Sequence, residues 1–124
     1  MALNVCLINP PTFLAPKSLS YFGSVPPLGL AYVAAAVRDA GHNLQVIDAP
    51  GEAIDRFQPY PTSIGDLWLH GLTASEILSR IAPDTDVVGY TNMFLHEWNY
   101  LKDLLKAVKE RFPGALNVLG GETP

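Results

Sequence analysis

The chain is poor in cysteine, since Cys6 is the only one among its 124 residues. A single thiol excludes an internal disulfide, and it excludes a cysteine-rich zinc or iron–sulfur site built from this chain alone. Because Cys6 lies within an apolar run, we interpret it as a small core residue. The lack of cysteine pairs is typical of proteins from a reducing compartment, and we predict a cytoplasmic location.

Charge is also scarce, and neither sign is concentrated in one segment. Charged residues make up 16% of the sequence, and the formal net charge is −4. No run of Lys or Arg forms a basic patch, so the sequence predicts no nucleic-acid partner. The longest apolar stretch, 26–37, is shorter than the roughly 20 residues that a membrane-spanning helix needs. No membrane partner is therefore predicted.

Two motifs that bind phosphate groups are missing as well. No Gly-x-Gly-x-x-Gly follows a predicted strand, which disfavours a dinucleotide site, and no Gly-x-x-x-x-Gly-Lys-Ser/Thr loop for nucleoside triphosphates is present. A phospho-acceptor regulatory domain would need acidic residues after its first strand and an Asp at the end of its third. This chain has Asn9 and Thr91 at those positions.

The sequence does contain strands that alternate with helices. Short apolar segments predict buried strands at 4–9, 44–48, 86–91 and 116–119. One helix is predicted from Leu28 to just before Gly41, and a brief one follows the capping box 73–76. A third carries an apolar stripe of Trp98, Leu101, Leu105, Val108 and Phe112. This alternation predicts an α/β, flavodoxin-like (Rossmann-like) open parallel sheet with strand order 2-1-3-4.

Other parts of the chain give weaker patterns. Residues 12–27 predict a loop, and 49–72 predict an irregular insertion, with a short helix around 64–69 as the alternative. No final helix and fifth strand are visible, so we expect a truncated N-terminal domain, or one that another segment or chain completes. The uncapped sheet edge is then a candidate dimer interface. On the first helix, we predict Tyr32, Val33 and Val37 to be core residues.

The candidate site residues are those that follow the strands, because open parallel sheets bind ligands beyond the carboxyl ends of their strands. They include an apolar helix start at 26–29 and the hydroxyl of Thr91 close to the apolar, polarisable side chain of Met93. They also include the double glycine 120–121, which allows close approach of a bulky ligand. A long planar or nucleotide-like ligand fits this chemistry, and no catalytic or metal-ligating residue is predicted. The candidates are Asn9, Pro10, Pro11, Pro26, Pro27, Leu28, Gly29, Thr91, Asn92, Met93, Gly120, Gly121, Glu122 and Thr123.

Six short motifs together resemble the N-terminal cobalamin-binding domain of cobalamin-dependent radical SAM proteins. They occur in the family's order at 7–11, 26–32, 40–42, 46–49, 87–91 and 118–121. The resemblance implies that the chain binds cobalamin and that a downstream radical SAM domain, its partner, carries out methyl transfer or related radical chemistry. That domain would hold a [4Fe–4S] cluster and S-adenosylmethionine through a Cys-x-x-x-Cys-x-x-Cys motif, which this chain lacks. The chain alone would then be non-catalytic.

The resemblance also bears on how cobalt is held. Cobalamin-binding domains that ligate cobalt with histidine carry Asp-x-His-x-x-Gly, Ser-x-Leu and Gly-Gly after their first, third and fourth strands. Thr91-Asn92-Met93 is similar to Ser-x-Leu, Gly120-Gly121 to Gly-Gly, and Gly29 to the last glycine of the first motif. Pro26 then takes the place of the histidine, which implies base-off, histidine-off cobalamin. A ligand-free flavodoxin-like regulatory or interaction domain and the nucleotide-binding half of a transferase are the alternatives.

Overall fold

A computed structural model describes residues 1–15, 25–63 and 65–121, which form strands and helices in alternation. In chain order the elements are β1 (Asn4–Asn9), β2 (Thr12–Leu14), α1 (Leu28–Asp39), β3 (Asn43–Asp48), α2 (Ala49–Glu52), β4 (Phe57–Thr62), β5 (Gly65–His70), α3 (Ala74–Arg80), β6 (Val87–Thr91), a 3-10 turn (Leu95–Glu97), α4 (Trp98–Arg111) and β7 (Leu116–Gly120). None of these helices is long and apolar enough to cross a membrane.

The main layer is a parallel sheet with the strand order β3-β1-β6-β7. When only the four strands of this sheet are numbered along the chain, β1, β3, β6 and β7 become strands 1 to 4. The order is then 2-1-3-4, and the predicted flavodoxin-like order is confirmed. The first strand spans the predicted residues, and the capping box is present, with the Thr73 hydroxyl accepting from the Glu76 N–H and the Glu76 carboxylate accepting from the Thr73 N–H. Each parallel pair needs a crossover between its strands, and α1, α3 and α4 lie in these crossovers.

The two faces of this sheet are covered unequally. Successive side chains of a strand point to opposite faces, so each strand contributes residues to both. Cys6 and Ile8 of β1 belong to the larger core, together with residues of α3 and α4 such as Ile77 and Leu101. Val5 and Leu7 point the other way, into a small core with Leu30 and Ala34 of α1. Beyond α1, Leu116 and Val118 of β7 remain exposed.

The prediction for the core face of α1 is wrong for two of its three residues. Tyr32 is 72% exposed and Val33 is 51% exposed, whereas Val37 is half-buried against the small core. The residues that α1 buries are Leu30 and Ala34, which lie four positions apart on one side of the helix. Because α1 is apolar on nearly all sides, its hydrophobic pattern does not specify which side meets the sheet.

The stripe predicted on α4 is confirmed for Leu101 and Val108, which are fully buried. Leu104, absent from that prediction, is also buried at 1% exposure, whereas Leu105 is half-buried and packs at the margin of the larger core. Trp98 and Phe112 pack there too. Leu104 lies three positions after Leu101 and four before Val108, so it belongs to the same core-facing side of α4.

A second, antiparallel sheet with the order β2-β5-β4 corrects two predictions. Residues 49–72 are not irregular but contain α2 and the β4–β5 hairpin, and the predicted loop 12–27 begins with β2. The alternative of a short helix around 64–69 is wrong as well, since β5 is extended there. Pro59 and Pro61 indicated a loop, yet they lie on β4 at the sheet edge, where the outer side needs no N–H donor.

Polar contacts anchor the antiparallel sheet to the rest of the chain. His70 is 2% exposed, and its ring stacks on Phe57 with a centroid distance of 4.5 Å. Its Nε2 lies 2.7 Å from the Ile54 carbonyl oxygen, and its Nδ1 lies 3.4 Å from Thr12 Oγ1. Gly71 has a φ of +116°, and a Cβ there would come within 2.5 Å of the Ala49 carbonyl oxygen. His70 and Gly71 therefore fix the end of β5 against two neighbouring segments.

Candidate functional site

The candidate residues gather along one side of the parallel sheet, which we call the carboxyl edge: the ends of β1, β6 and β7 at Asn9, Thr91 and Gly120. These strands are adjacent and parallel, and Thr91 pairs directly with Gly120. Residues 10–11 continue from β1, residues 92–93 from β6, and α1 begins at Leu28. Glu122 and Thr123 lie outside the described residues. The structure thus brings the other predicted residues to one edge.

Gly121 has a structural role at this edge. Its φ is +105°, and a Cβ there would come within 2.5 Å of the Asn92 carbonyl oxygen and 2.8 Å of the Asn92 nitrogen. Asn92 is itself buried at 2% exposure, and its backbone N–H donates to the Gly120 carbonyl oxygen at 2.8 Å. The need for glycine at position 121 is therefore explained by contact between the backbones that follow β6 and β7.

Gly120 differs from its neighbour because it borders open space. A Cβ at Gly120 would meet only the Tyr90 carbonyl oxygen within 4 Å, at 3.9 Å. From the pairing of β6 with β7 and the alternation of side chains, Gly89, Thr91 and Gly120 point to the face that α1 half covers. At Gly89 the space is filled by Leu7, whose Cδ2 would lie 2.7 Å from an added Cβ. The opening lies beyond Leu7, at the end of the sheet.

Exposed apolar side chains flank the carboxyl edge on two segments. Before and at the start of α1, Val25 is 75% exposed and Leu28 is 68% exposed. After β6, Met93, Phe94 and Leu95 are 50%, 51% and 74% exposed. Clustered exposed apolar groups commonly mark binding surfaces. Phe94 was expected at this edge because it follows the third predicted strand, whereas sequence reasoning missed Leu95, which continues the same apolar run.

The side-chain amide of Asn9, at the β1 end of the carboxyl edge, already has a hydrogen-bond partner. Asn9 Nδ2 donates to Asp48 Oδ1 at 2.9 Å, which links the ends of β1 and β3. The Asp48 carboxylate also fills the space beside Gly51, where an added Cβ would clash with Oδ2. The Asp48 side chain therefore lies between the end of β1 and the short helix α2.

Glu97 is a half-buried acid that sequence reasoning missed. Its side chain is 14% exposed, and its Oε1 lies 3.4 Å from the Phe13 nitrogen and 3.8 Å from His96 Nε2. Burial raises the pKa of this carboxyl group to about 7, and the hydrogen bond from the Phe13 N–H opposes that rise. No sequence pattern marks Glu97, since its burial depends on contact with β2, a distant segment.

Metal-ligating side chains do not cluster in the described part of the chain: it contains no group of three or more His, Cys, Asp or Glu able to hold a metal ion. His42 Nδ1 accepts from the Leu3 N–H at 3.0 Å, and both ring nitrogens of His70 have partners. Cys6 is fully buried, which confirms its interpretation as a core residue, and burial raises the pKa of its thiol to about 12. A thiol in this setting is unreactive.

Comparisons with known proteins agree with this geometry. The family model described as B12 binding domain matches residues 19–124. The chain is also 29% identical over 119 residues to cytidylyl-2-hydroxyethylphosphonate methyltransferase of Streptomyces wedmorensis. That match covers 94% of this chain and 22% of the relative, so the chain spans about a fifth of the length of that curated protein. No solved structure matches the chain.

Proposed function

This chain belongs to the B12-binding domain family, and we propose that it holds base-off, histidine-off cobalamin for a radical SAM enzyme of which it forms one part. The observation that carries the proposal is the carboxyl edge, where exposed apolar segments lie beside the open position at Gly120. Family membership supports cobalamin as the ligand. The radical SAM enzyme and the state of the cobalt ligands are our inference.

The residues of the edge fit the chemistry of cobalamin. A corrin ring is broad and flat, so the exposed apolar groups at 25–28 and 93–95 suit its faces. The nucleotide tail needs a narrow path, and we infer that it runs between β1 and β6, over Gly120 and Gly121. In that position the Thr91 hydroxyl would donate to or accept from the tail. Pro10, Pro26 and Pro27 would border the ring without offering it a backbone N–H. Pro11, also predicted as a site residue, is fully buried and would not contact the ring.

The histidine-off state is supported by the positions of the three histidines. His42 and His70 are engaged in hydrogen bonds within the protein. His96 is exposed at 61%, but it pairs with Glu97 and stacks on Phe94 at a centroid distance of 5.6 Å. Pro26 has no ligating group at the place where the histidine-bearing domains have their ligand. When bound, cobalamin would supply a cobalt centre that can carry a methyl group.

Catalysis is proposed to belong to a downstream radical SAM domain with its [4Fe–4S] cluster and S-adenosylmethionine. The buried Cys6 could not contribute to such a cluster, which supports placing that chemistry outside the described residues. The relative is named a methyltransferase, and this supports methyl transfer as the reaction of the whole enzyme. The proposed role of this chain is to hold and orient the cofactor.

Reconstitution tests the proposal directly. The purified chain is incubated with hydroxocobalamin and desalted, and its visible spectrum is recorded. We expect retained cobalamin absorbance, and after reduction an EPR spectrum of cob(II)alamin without nitrogen splitting from an axial base. A folded but colourless protein would contradict the proposal and favour the ligand-free alternative. Nitrogen splitting would contradict only the base-off, histidine-off part.

A matched pair of glycine variants locates the site. Gly120 and Gly114 lie near opposite ends of β7, and neither would bring an added Cβ within 3.4 Å of another atom. We expect Gly120→Val to fold and to retain much less cobalamin than the parent chain. Gly114→Val should bind like the parent, because it lies away from the carboxyl edge. Equal binding by both variants, with unchanged circular dichroism, would place the tail elsewhere.

A further inference from the structure

A row of residues crosses the parallel sheet on the face that α1 partly covers, two positions inward from the ends of β6 and β7. Direct pairing of the strands brings one residue of each strand into this row, and their side chains share one face. Across β3, β1, β6 and β7, this inner row consists of Val46, Leu7, Gly89 and Val118. Two residues along a strand span about 6.6 Å, so a ligand that passes over Gly120 reaches the inner row after that distance.

The two halves of the inner row differ in how they are covered. α1 packs on β1 and β3, and Leu7 is 6% exposed in the small core with Leu30 and Ala34. Leu7 also fills the space over Gly89, where an added Cβ would lie 2.7 Å from its Cδ2. On β7, by contrast, Val118 is 47% exposed. The row is therefore closed as far as Gly89, and its open part lies at Val118.

Polarity changes between the end of the sheet and the inner row. At the end, Thr91 and Gly120 pair directly, and this pair offers one hydroxyl group. Leu7 and Val118 offer no polar side-chain group, and the backbone of β6 between them pairs with β1 and β7. A polar ligand atom that loses water there finds no partner and weakens binding, whereas an apolar ring is not penalised.

We propose that Val118 is a specificity-determining residue, which favours a corrinoid whose lower base has no exocyclic polar group, such as dimethylbenzimidazole, over one whose lower base is a purine. This inference rests on the proposed function, because it takes the nucleotide tail to pass over Gly120. The sugar and phosphate of the tail then lie beside the Thr91 hydroxyl, and the base ends against Leu7 and Val118. An adenine base would bring its amino group and ring nitrogens to these apolar side chains.

The affinities of two corrinoids test the proposal, namely methylcobalamin and the corresponding methyl corrinoid with adenine as its lower base. The measured quantity is the ratio of their Kd values, adenine form over methylcobalamin, compared between the parent chain and its variants. The free energy that releases each base from cobalt in the free corrinoid cancels in this comparison. Val118→Thr keeps the branched shape and adds a hydroxyl, so the ratio should fall about threefold to tenfold, the effect of one hydrogen bond.

Val46→Thr is the matched control. Val46 is 44% exposed and pairs directly with Leu7, but it lies on the opposite side of Leu7 from Gly89. Threonine is favoured in strands and both positions are exposed, so both variants should fold, and circular dichroism checks this. Val46→Thr should leave the ratio of Kd values unchanged. An unchanged ratio in Val118→Thr, or an equal fall in both variants, would overturn the proposal.

Methylcobinamide, which lacks the nucleotide tail, separates the failure of this inference from the failure of the proposed function. Its Kd should be the same for the parent and for Val118→Thr. If Val118→Thr changes this Kd as much as that of the adenine form, Val118 acts on the corrin ring, and only the specificity inference fails. If the parent binds none of the three corrinoids, the proposed function fails and the inference about Val118 fails with it.

Discussion

In the parallel sheet, β1 and β6 are buried between helices, and aliphatic side chains such as Ile8 and Val88 make up the contacts. Among the described residues, no such layer of helices covers the antiparallel sheet on both sides. It is held by aromatic ring contacts and by polar contacts at His70 and Glu97. The parallel sheet should thus respond most to lost volume, and the antiparallel sheet to lost hydrogen bonds or changed protonation.

The edges of the two sheets differ in how well they discourage pairing with another chain. The antiparallel sheet ends in β2, which has three residues, and in β4, which contains Pro59 and Pro61. Short strands and prolines both discourage pairing with another chain. β7 has neither feature and no charged side chain, and its Leu116 and Val118 are exposed. A dimer through β7 therefore stays a prediction, which sedimentation of the purified chain can check.

The largest effect is expected from loss of volume in the parallel sheet's core. Leu104→Ala should lower the free energy of unfolding by about 2–5 kcal/mol, because Leu104 is 1% exposed and its truncation leaves a cavity. Leu105→Ala, at the neighbouring half-buried position, should cost clearly less. Urea unfolding of both variants measures the difference. Equal costs would mean that α4 presents another face to the sheet.

Changed protonation should have the next largest effect, at the contact between β2 and Glu97. Burial raises the pKa of Glu97 from its ordinary value of 4.5 to about 7 in the folded chain, so the folded state binds more protons than the unfolded state between these values. The contribution of Glu97 to the free energy of unfolding is then fully present below about pH 4.5. It is lost as the pH rises through 7, and the loss is roughly 3 kcal/mol at most.

The measurement is chemical unfolding at a series of pH values from 5 to 8. Glu97→Gln should lose this dependence and should be more stable than the parent at pH 8. If both proteins lose stability in parallel over this range, the titrating group is not Glu97.

A smaller effect is expected from a lost hydrogen bond within the antiparallel sheet. His70→Phe keeps a ring that can stack on Phe57, but it removes the donor to the Ile54 carbonyl oxygen, at a cost of about 0.5–1.5 kcal/mol. Amide exchange should accelerate in β5 more than in β1. His96→Phe, at an exposed position, is the control. Uniform acceleration in both sheets would mean that they open as one unit.

The difference between the sheets also explains what could be predicted from the sequence. β1 and β6 are continuous apolar runs, and such runs predict buried strands whatever surrounds them. β4 carries two prolines and β2 has three residues, so their pairing depends on a distant partner, β5. At the site, Thr91 and Gly120 follow from the order of the strands. Glu97 does not, because its burial arises only when β2 packs against the turn before α4.

The smallest expected effect concerns the carboxyl edge of the parallel sheet. Thr91→Val keeps the branched shape that suits β6, so the free energy of unfolding should change by less than about 0.5 kcal/mol. Under the proposed function it removes one hydroxyl that contacts the nucleotide tail, and cobalamin binding should weaken by about 0.5–1.5 kcal/mol.

Thr85→Val, before the amino end of β6, removes a hydroxyl that donates to the Ala82 carbonyl oxygen, and it should leave cobalamin binding unchanged. Titration with methylcobalamin, alongside unfolding curves, separates the two quantities. Weakened binding at both positions would mean that the edge responds to general loosening of β6, and unchanged binding at Thr91→Val would remove this hydroxyl from the proposed path of the tail.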